Sequence, residues 1–373
     1  MRKSKSFSLD KGLFLSFIFF IFFGLVHIYS SSYIFALEKY GNPLYFFNKQ
    51  VVFTLVSLVV FYITIKLPWQ VVVRFSSLAF FIILFLLALT LVPSIGVKVG
   101  GARRWLSLPL FNIEPVEFFK IIMVFYFARL LSFKDWMENK KTIAIQVGLF
   151  FTPLIILLLQ PDFGSVVIYL VVFFALLFVS PIKLRWILLS VVTALVSLFT
   201  LIIIEPYRLK RLQAVLDPWS DPYGKGFQLI QSLLAFYSGS WLGKGLGEGQ
   251  SKLFFLPEAH TDFTLAVLGE EIGFVGVSFF ISLYTYIIYK GFVIAYQSKD
   301  IYQSYVATGL TVVFGLGVYL NIAIELGLLP PKGLSLAFLS YGGSHLLANS
   351  IIIAILLNID KATKKARYKK AWG

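Results

Sequence analysis

The chain has 373 residues, of which 58% are hydrophobic and 14% charged. Soluble domains carry about 45–50% apolar and about 25% charged residues, so a water-soluble globular fold and a disordered chain are both excluded. The net charge is +15 and there is no cysteine, which removes disulfides, thiolate metal sites and a cysteine nucleophile.

A bilayer crossing needs roughly 20 mostly apolar residues. Ten stretches meet this in chain order: 12–31, 50–65, 75–93, 116–133, 143–159, 163–180, 186–204, 263–289, 304–327 and 335–358. Arg2, Lys3 and Lys5 precede the first run as in a signal peptide. More spans follow at once and no A-x-A site is present, so the run reads as an uncleaved first helix. The apolar runs are continuous instead of alternating, which is helical and not barrel-like. The expected fold class is an all-α integral membrane protein of about ten transmembrane helices. It forms one domain over 1–373, with a short N-terminus (1–11), a long loop between helices 7 and 8 (205–262) and a basic tail (359–373).

Ten spans put both termini on one side. If that side is cytoplasmic, it holds twenty of the 33 Lys and Arg and five of the 18 acidic residues, hence the entire +15. The positive-inside rule accounts for the charge, and nothing is left over to argue for nucleic acid. The tail Lys361–Lys370 could also touch anionic lipid.

The polar groups gather on the opposite, outer side. Gly100-Gly101-Ala102-Arg103-Arg104-Trp105 precedes the fourth span, and Glu117 and Lys120 share one face inside it. These two could form a structural ion pair or line a pocket. Gln160-Pro161-Asp162 links the fifth and sixth spans tightly. The loop 205–262 holds Trp219, Trp241 and six basic residues, and its length suggests short helices or a re-entrant turn around Gly226–Phe236. It ends in Leu256-Pro257-Glu258-Ala259-His260-Thr261-Asp262-Phe263, where Thr261 or Asp262 could simply cap the eighth span. Glu270 and Glu271 are adjacent on a helix, so at most one faces a pocket shared with Asp262. Asn321 and Glu325 lie on one face of the ninth span, where helix–helix hydrogen bonding is the plain reading. Lys332, in Pro330-Pro331-Lys332-Gly333-Leu334, and Ser340-Tyr341-Gly342-Gly343-Ser344 complete the outer set.

The order and spacing of several blocks give the chain a resemblance to the SEDS family (shape, elongation, division and sporulation). They are Gly101–Trp105, Gln160-Pro161-Asp162-Phe163-Gly164, Tyr207–Leu212, Asp217-Pro218-Trp219, Gly226–Ser232, Leu256–Phe263, Gly269–Gly273 and Gly327–Ser344. Pro257-Glu258-Ala259-His260-Thr261-Asp262 and Lys332-Gly333-Leu334 look more like the FtsW branch than the RodA branch. The chain departs from the family at three places. The usual Q-P-S-E is Glu114-Pro115-Val116-Glu117, the usual G-G-S-S ends in His345, and Glu325 stands where an apolar residue is usual. No role for Glu114, His345 or Glu325 is carried over.

The resemblance implies a peptidoglycan glycosyltransferase that joins lipid II units, releases undecaprenyl pyrophosphate and inverts the anomeric centre. A sugar hydroxyl wants a general base, and Asp262 is the matching residue. The pyrophosphate wants cations or donors, for which Arg103, Arg104, Lys210, Arg211 and Lys332 are candidates. Glu117, Lys120, His260, Ser340 and Ser344 are the further substrate-binding candidates. Trp105, Trp219 and Trp241 could stack on sugars, though interfacial anchoring is the commoner role. His27, His260 and His345 make no metal spacing; a divalent cation, Mg or Mn, could share the phosphate charge, but no motif shows one. The implied setting is the bacterial inner membrane at the division septum. The implied partners are a single-span class B penicillin-binding protein (an FtsI-type transpeptidase) and other divisome membrane proteins. The rival readings are a lipid II flippase and a RodA-type polymerase for elongation.

Overall fold

The structure is a computed structural model that describes residues 9–99, 102–108, 111–133, 139–204, 213, 215–224, 226–253 and 256–372. Among these are eleven α-helices: α1 Lys11–Tyr40, α2 Tyr45–Lys66, α3 Trp69–Leu89, α4 Pro115–Ser132, α5 Lys140–Leu159, α6 Phe163–Val179, α7 Leu184–Ile204, α8 Phe227–Gly239, α9 Thr264–Gln297, α10 Ile301–Glu325 and α11 Gly343–Trp372. All except α8 correspond to the ten expected spans. Eight are long and apolar enough to cross a bilayer. The other two have local reasons to fall short: α6 has 17 residues, and α4 carries Glu117, Lys120 and Arg129 in 18.

Burial sorts the helices into layers. The apolar stretches of α11 and α10 are 78% and 67% buried, while that of α7 is 6% buried. The first two form the centre of the bundle, and α7 presents Leu188, Val196 and Phe199 outward, as a lipid-facing helix does. The chain is an integral membrane protein. The core is aromatic: Phe17 stacks on Phe61 at 4.2 Å and Phe20 on Tyr284 at 4.3 Å. At one end of the bundle Lys290 pairs with Asp10 at 2.9 Å, and the Asp10 amide donates to Asp360 at 3.0 Å. The two terminal helices therefore meet at one end, and the long loop occupies the other.

The structure corrects one expectation and refines two others. The last span begins at Gly343 and not at 335. Residues 330–342 instead run as an irregular segment into the core, with Phe338 at φ 67° packed on Phe17 and Phe20. Non-helical backbone at membrane depth survives only where protein surrounds it; here Tyr284 Oη donates to the Ala337 carbonyl. Secondly, the link between α3 and α4 is a small antiparallel sheet, β1 Gly96–Val99, β2 Ala102–Ser107 and β3 Asn112–Ile113, paired in that order. Thirdly, neither Glu270 nor Glu271 faces Asp262. Glu271 pairs with the fully buried Lys252 at 2.6 Å and accepts from Ser30 at 2.6 Å. Glu270 pairs with Lys244 at 2.7 Å and accepts from the Ser251 amide at 2.8 Å.

Those two acids fasten the long loop to α9. The expected turn around 226–236 is helix α8, which packs along α9. Beyond it the loop backbone enters α9 itself: the amides of Phe274 and Val275 donate to Ser240 and Trp241. Gly273, at φ 66°, opens the helix there, and a Cβ on it would lie 2.3 Å from the Gly243 nitrogen. The loop is therefore clamped at both ends of its second half before it delivers residues 256–263 to the start of α9.

Candidate active site

Asp262 lies in a turn whose Thr261, Asp262 and Phe263 amides all donate to the Glu258 carbonyl. The side chain does not cap α9, which starts at Thr264 with no side-chain cap bond. Asn321 of α10 holds the turn in place by donating to the Asp262 carbonyl at 3.3 Å and the Leu334 carbonyl at 2.5 Å. The carboxylate is thereby set against Gly333, where a Cβ would stand 3.1 Å from Oδ2. Among the described residues it accepts no hydrogen bond and forms no ion pair. Burial pushes its pKa up to about 7; Glu258 adds to the rise and Arg104 opposes it.

Next to Gly333 is Lys332, the centre of a cationic cluster. Its Nζ is 3.3 Å from Asp162, and Arg104 Nε is 3.8 Å from the same carboxylate. Asp162 also caps α6 and accepts from the Ser165 hydroxyl at 2.6 Å. Burial would raise the Asp162 pKa, but Lys332 and Arg104 outweigh it and hold the carboxyl below its ordinary range. Burial lowers that of Lys332, against the pull of Asp162. Among the described residues, Lys332 Nζ and Arg104 Nε are buried with no hydrogen bond beyond these contacts to Asp162. Buried donors normally find partners, so this pair has donor capacity to spare for a ligand. Arg103 is the neighbour of Arg104 on β2, and successive strand residues point to opposite faces; only Arg104 reaches Asp162.

The two cations form the polar mouth of a cavity of about 320 Å³. Its body is apolar, with Phe163, Val167, Ile202, Leu320, Ile324 and Leu329 from α6, α7 and α10 and the turn beyond it. Gly164 in its wall leaves room for the lysine, since a Cβ there would fall 1.9 Å from Lys332 Nζ. A cationic mouth on a greasy body matches an anionic headgroup carried on a hydrocarbon tail.

A second polar cluster joins the starts of α4 and α11. Glu117 accepts from Lys120 at 2.6 Å and contacts His345 Nδ1 at 3.1 Å. The Ser344 hydroxyl accepts from the Glu114 amide at 3.1 Å. Burial first, and Glu117 second, push the Glu114 carboxyl up to about 8. The charge of Lys120 reaches Asp162, so this cluster backs the cationic mouth. Glu117 and Lys120 are thus an ion pair and also part of the site's electrostatics.

Two candidates turn inward. The His260 ring packs among Phe35, Phe46 and Tyr341, 4.5 Å from Phe46. Burial drives its pKa down to about 4, so it is neutral. Ser340 is buried, donating to or accepting from Thr264 at 2.9 Å and accepting from the Leu336 amide at 2.7 Å. Lys210 and Arg211 lie outside the described residues. Trp219 and Trp241 are exposed on the loop, and Trp105 is half-buried on β2. The residues that reading the chain undervalued are Asp162, Gly164, Glu114 and His345. The signal for Asp162 was a carboxylate fixed in a three-residue link between spans; the other three become visible only through contacts across the bundle.

Fold and site together define a multi-span membrane protein with a carboxylate of raised pKa beside an apolar cavity whose mouth carries two cations. The model of the cell cycle protein family named for FtsW, RodA and SpoVE matches residues 10–365. The chain belongs to this family. It is 40% identical over 354 residues to a probable peptidoglycan glycosyltransferase FtsW from Trichlorobacter lovleyi, covering 92% of this chain and 91% of that one. It is 39% identical over 365 residues to the protein of the same description from Thioalkalivibrio sulfidiphilus, covering 95% and 90%. Among solved structures it resembles a chain of a peptidoglycan synthase complex described as coordinating polymerization and crosslinking, with TM-score 0.75, 27% identity and coverage of 95% and 98%. It also shares its fold with Thermus thermophilus rod shape determining protein RodA, with TM-score 0.68, 24% identity and coverage of 95% and 97%.

Proposed function

We propose that this chain is a peptidoglycan polymerase of the FtsW type, a glycosyltransferase that joins lipid II units into glycan strands for septal wall synthesis. The observation that carries the reading is the Asp262 carboxylate, raised to about 7 and set through Gly333 beside the Lys332–Arg104 mouth of an apolar cavity. The FtsW descriptions of relatives near 40% identity support the branch and the reaction.

In this reading the pyrophosphate of the donor lipid sits at Lys332 and Arg104, and its isoprenoid enters the apolar cavity. Arg can hold phosphate oxygens in bidentate fashion. Asp262 takes the proton of the acceptor's 4-hydroxyl as that oxygen attacks the donor's anomeric carbon. The new carbon–oxygen bond forms as the bond to pyrophosphate breaks, with inversion, and the electron pair leaves on undecaprenyl pyrophosphate. A base with a pKa near working pH combines ionisation with proton affinity, and the cations offset the charge that grows on the leaving group. Glu117, Lys120 and Ser344 orient the segment behind the mouth. Among the described residues there is no group of three His, Asp or Glu side chains placed to hold a metal ion.

The loop end is placed on the outer face of the cytoplasmic membrane, with both termini cytoplasmic, following the positive-inside distribution of Lys and Arg. A class B penicillin-binding protein of the FtsI type is proposed as partner, on the strength of the related chain found in a synthase complex. Other divisome membrane proteins complete the setting.

The test is incubation of purified protein, with and without the transpeptidase, with labelled lipid II and gel analysis of the products. Wild type yields glycan strands, and Asp262→Asn, correctly folded, yields none. Strands from the Asn variant would overturn the base assignment. A flippase would yield no strands with either form.

A further inference from the structure

The opposite end of the bundle holds a second cavity, larger than the first, that the reaction does not use. Its volume is about 560 Å³, and it opens between α3, α4, α5 and the start of α10. Sites for small ligands span about 300–1,000 Å³ and combine apolar walls with a few converging polar groups. Here the polar groups are Ser76, Ser77, Tyr126, Arg129, Gln146 and Tyr302. The walls are Phe80, Phe81 and Leu149, with Phe81 exposed at the cavity's bilayer side.

Arg129 is the key group. It sits in the last turn of α4 and donates to the Ser77 hydroxyl at 3.2 Å. No carboxylate among the described residues lies within ion-pair distance of it. An ionisable side chain at the edge of a bilayer faces a partner or a cavity, and this one has the cavity. Deeper in, Tyr126 Oη donates to Gln146 at 3.0 Å. From Arg129 to Ile122, the inner lining residue of α4, a helix rises roughly 10 Å, a good part of one leaflet's hydrocarbon depth. The cavity therefore carries one cation and several polar groups at the headgroup level above an apolar shaft.

The charges on the described elements around it are mostly of the same sign. Arg74 lies on α3, and Lys140 and Lys141 open α5; Asp300, which caps α10, is the nearby acid on the described elements. We infer that this cavity is a binding site for an anionic glycerophospholipid of the leaflet at the terminal end, its phosphate on Arg129 and one acyl chain between Phe80, Phe81 and Leu149. Basic pockets between spans on the cytoplasmic side favour such headgroups over zwitterionic ones. The inference rests on the cytoplasmic placement of the termini and is independent of the polymerase reading.

The test uses the full chain, purified in detergent, stripped of lipid and titrated with phosphatidylglycerol or phosphatidylcholine of identical acyl chains, with retention read by native mass spectrometry. Wild type retains phosphatidylglycerol with a preference of roughly fivefold or more, the contribution of one basic group at an anionic surface. Arg129→Gln loses the preference while melting with wild type in lipid-free detergent; Arg129→Lys keeps most of it. Should Arg129→Gln fail to fold, Leu149→Trp fills the shaft without changing charge and lowers retention of phosphatidylglycerol. Equal retention of the two lipids by wild type, or an undiminished preference in Arg129→Gln or undiminished retention in Leu149→Trp, would overturn the site. So would a preference abolished by Lys140→Gln with Lys141→Gln and untouched by Arg129→Gln, which would make it general surface charge.

Discussion

Replacing Gly164 by alanine adds one methyl group to the wall of the proposed donor site. That carbon would stand 1.9 Å from Lys332 Nζ, 2.3 Å from Cε and 2.5 Å from Cδ, where contacts under 3.0 Å do not occur. The lysine tip must retreat by more than an ångström. It is the flexible end of a long side chain, so the fold yields there at small cost. The retreat takes Nζ from its place 3.3 Å from Asp162 and from the cavity mouth. A hydrogen bond to a charged group is worth about 1.5–3 kcal/mol, so kcat/KM for lipid II should fall roughly 10- to 150-fold. The assay is initial-rate polymerisation across lipid II concentrations for Gly164→Ala, Lys332→Ala and the double variant. The two changes remove the same interaction, so the double should be no worse than Lys332→Ala alone. Wild-type kcat/KM in Gly164→Ala, or losses that multiply in the double, would refute the argument that Gly164 exists to admit the lysine.

Polymerisation should rise with pH through about 7 as Asp262 ionises; Arg104→Gln moves that limb to higher pH and Glu258→Gln moves it lower, and a limb unmoved by both would detach it from Asp262. The folded-state pKa of Asp262 lies above its ordinary 3.8, so the residue costs the fold little below that value and progressively more as pH rises through 7. Asp262→Asn should therefore melt above wild type at pH 8 and level with it near pH 4, measured in detergent. Glu271→Gln strands the buried Lys252 cation and should destabilise by about 3–5 kcal/mol; melting unchanged from wild type would mean the pair is not what fastens the loop.

How much of this was legible in the chain depends on how local each cause is. The ten spans were legible because lipid requires long apolar runs, and helix ends such as Asp10, Asp162 and Asp300 follow short-range capping chemistry. The segment 335–342 misled because its apolar residues satisfy a composition rule, while its backbone is kept irregular by Tyr284 and the aromatic core, residues remote in sequence. Helix geometry allowed at most one of Glu270 and Glu271 to share a pocket with Asp262; that neither does is not legible along the chain, because the lysines that claim them, Lys244 and Lys252, lie about twenty positions upstream on a loop.

By itself, the sequence determined the membrane class and the ten helical stretches, since both follow from composition and from neighbours along the chain. Tertiary structure alone decided which charges meet. It brought Lys332 and Arg104 to Asp162, turned His260 and Ser340 inward, and left Asp262 beside Gly333 without a partner among the described residues. Pairing energies in a low-dielectric interior depend on distances of a few ångströms, and those distances are set by how helices far apart in the chain come together.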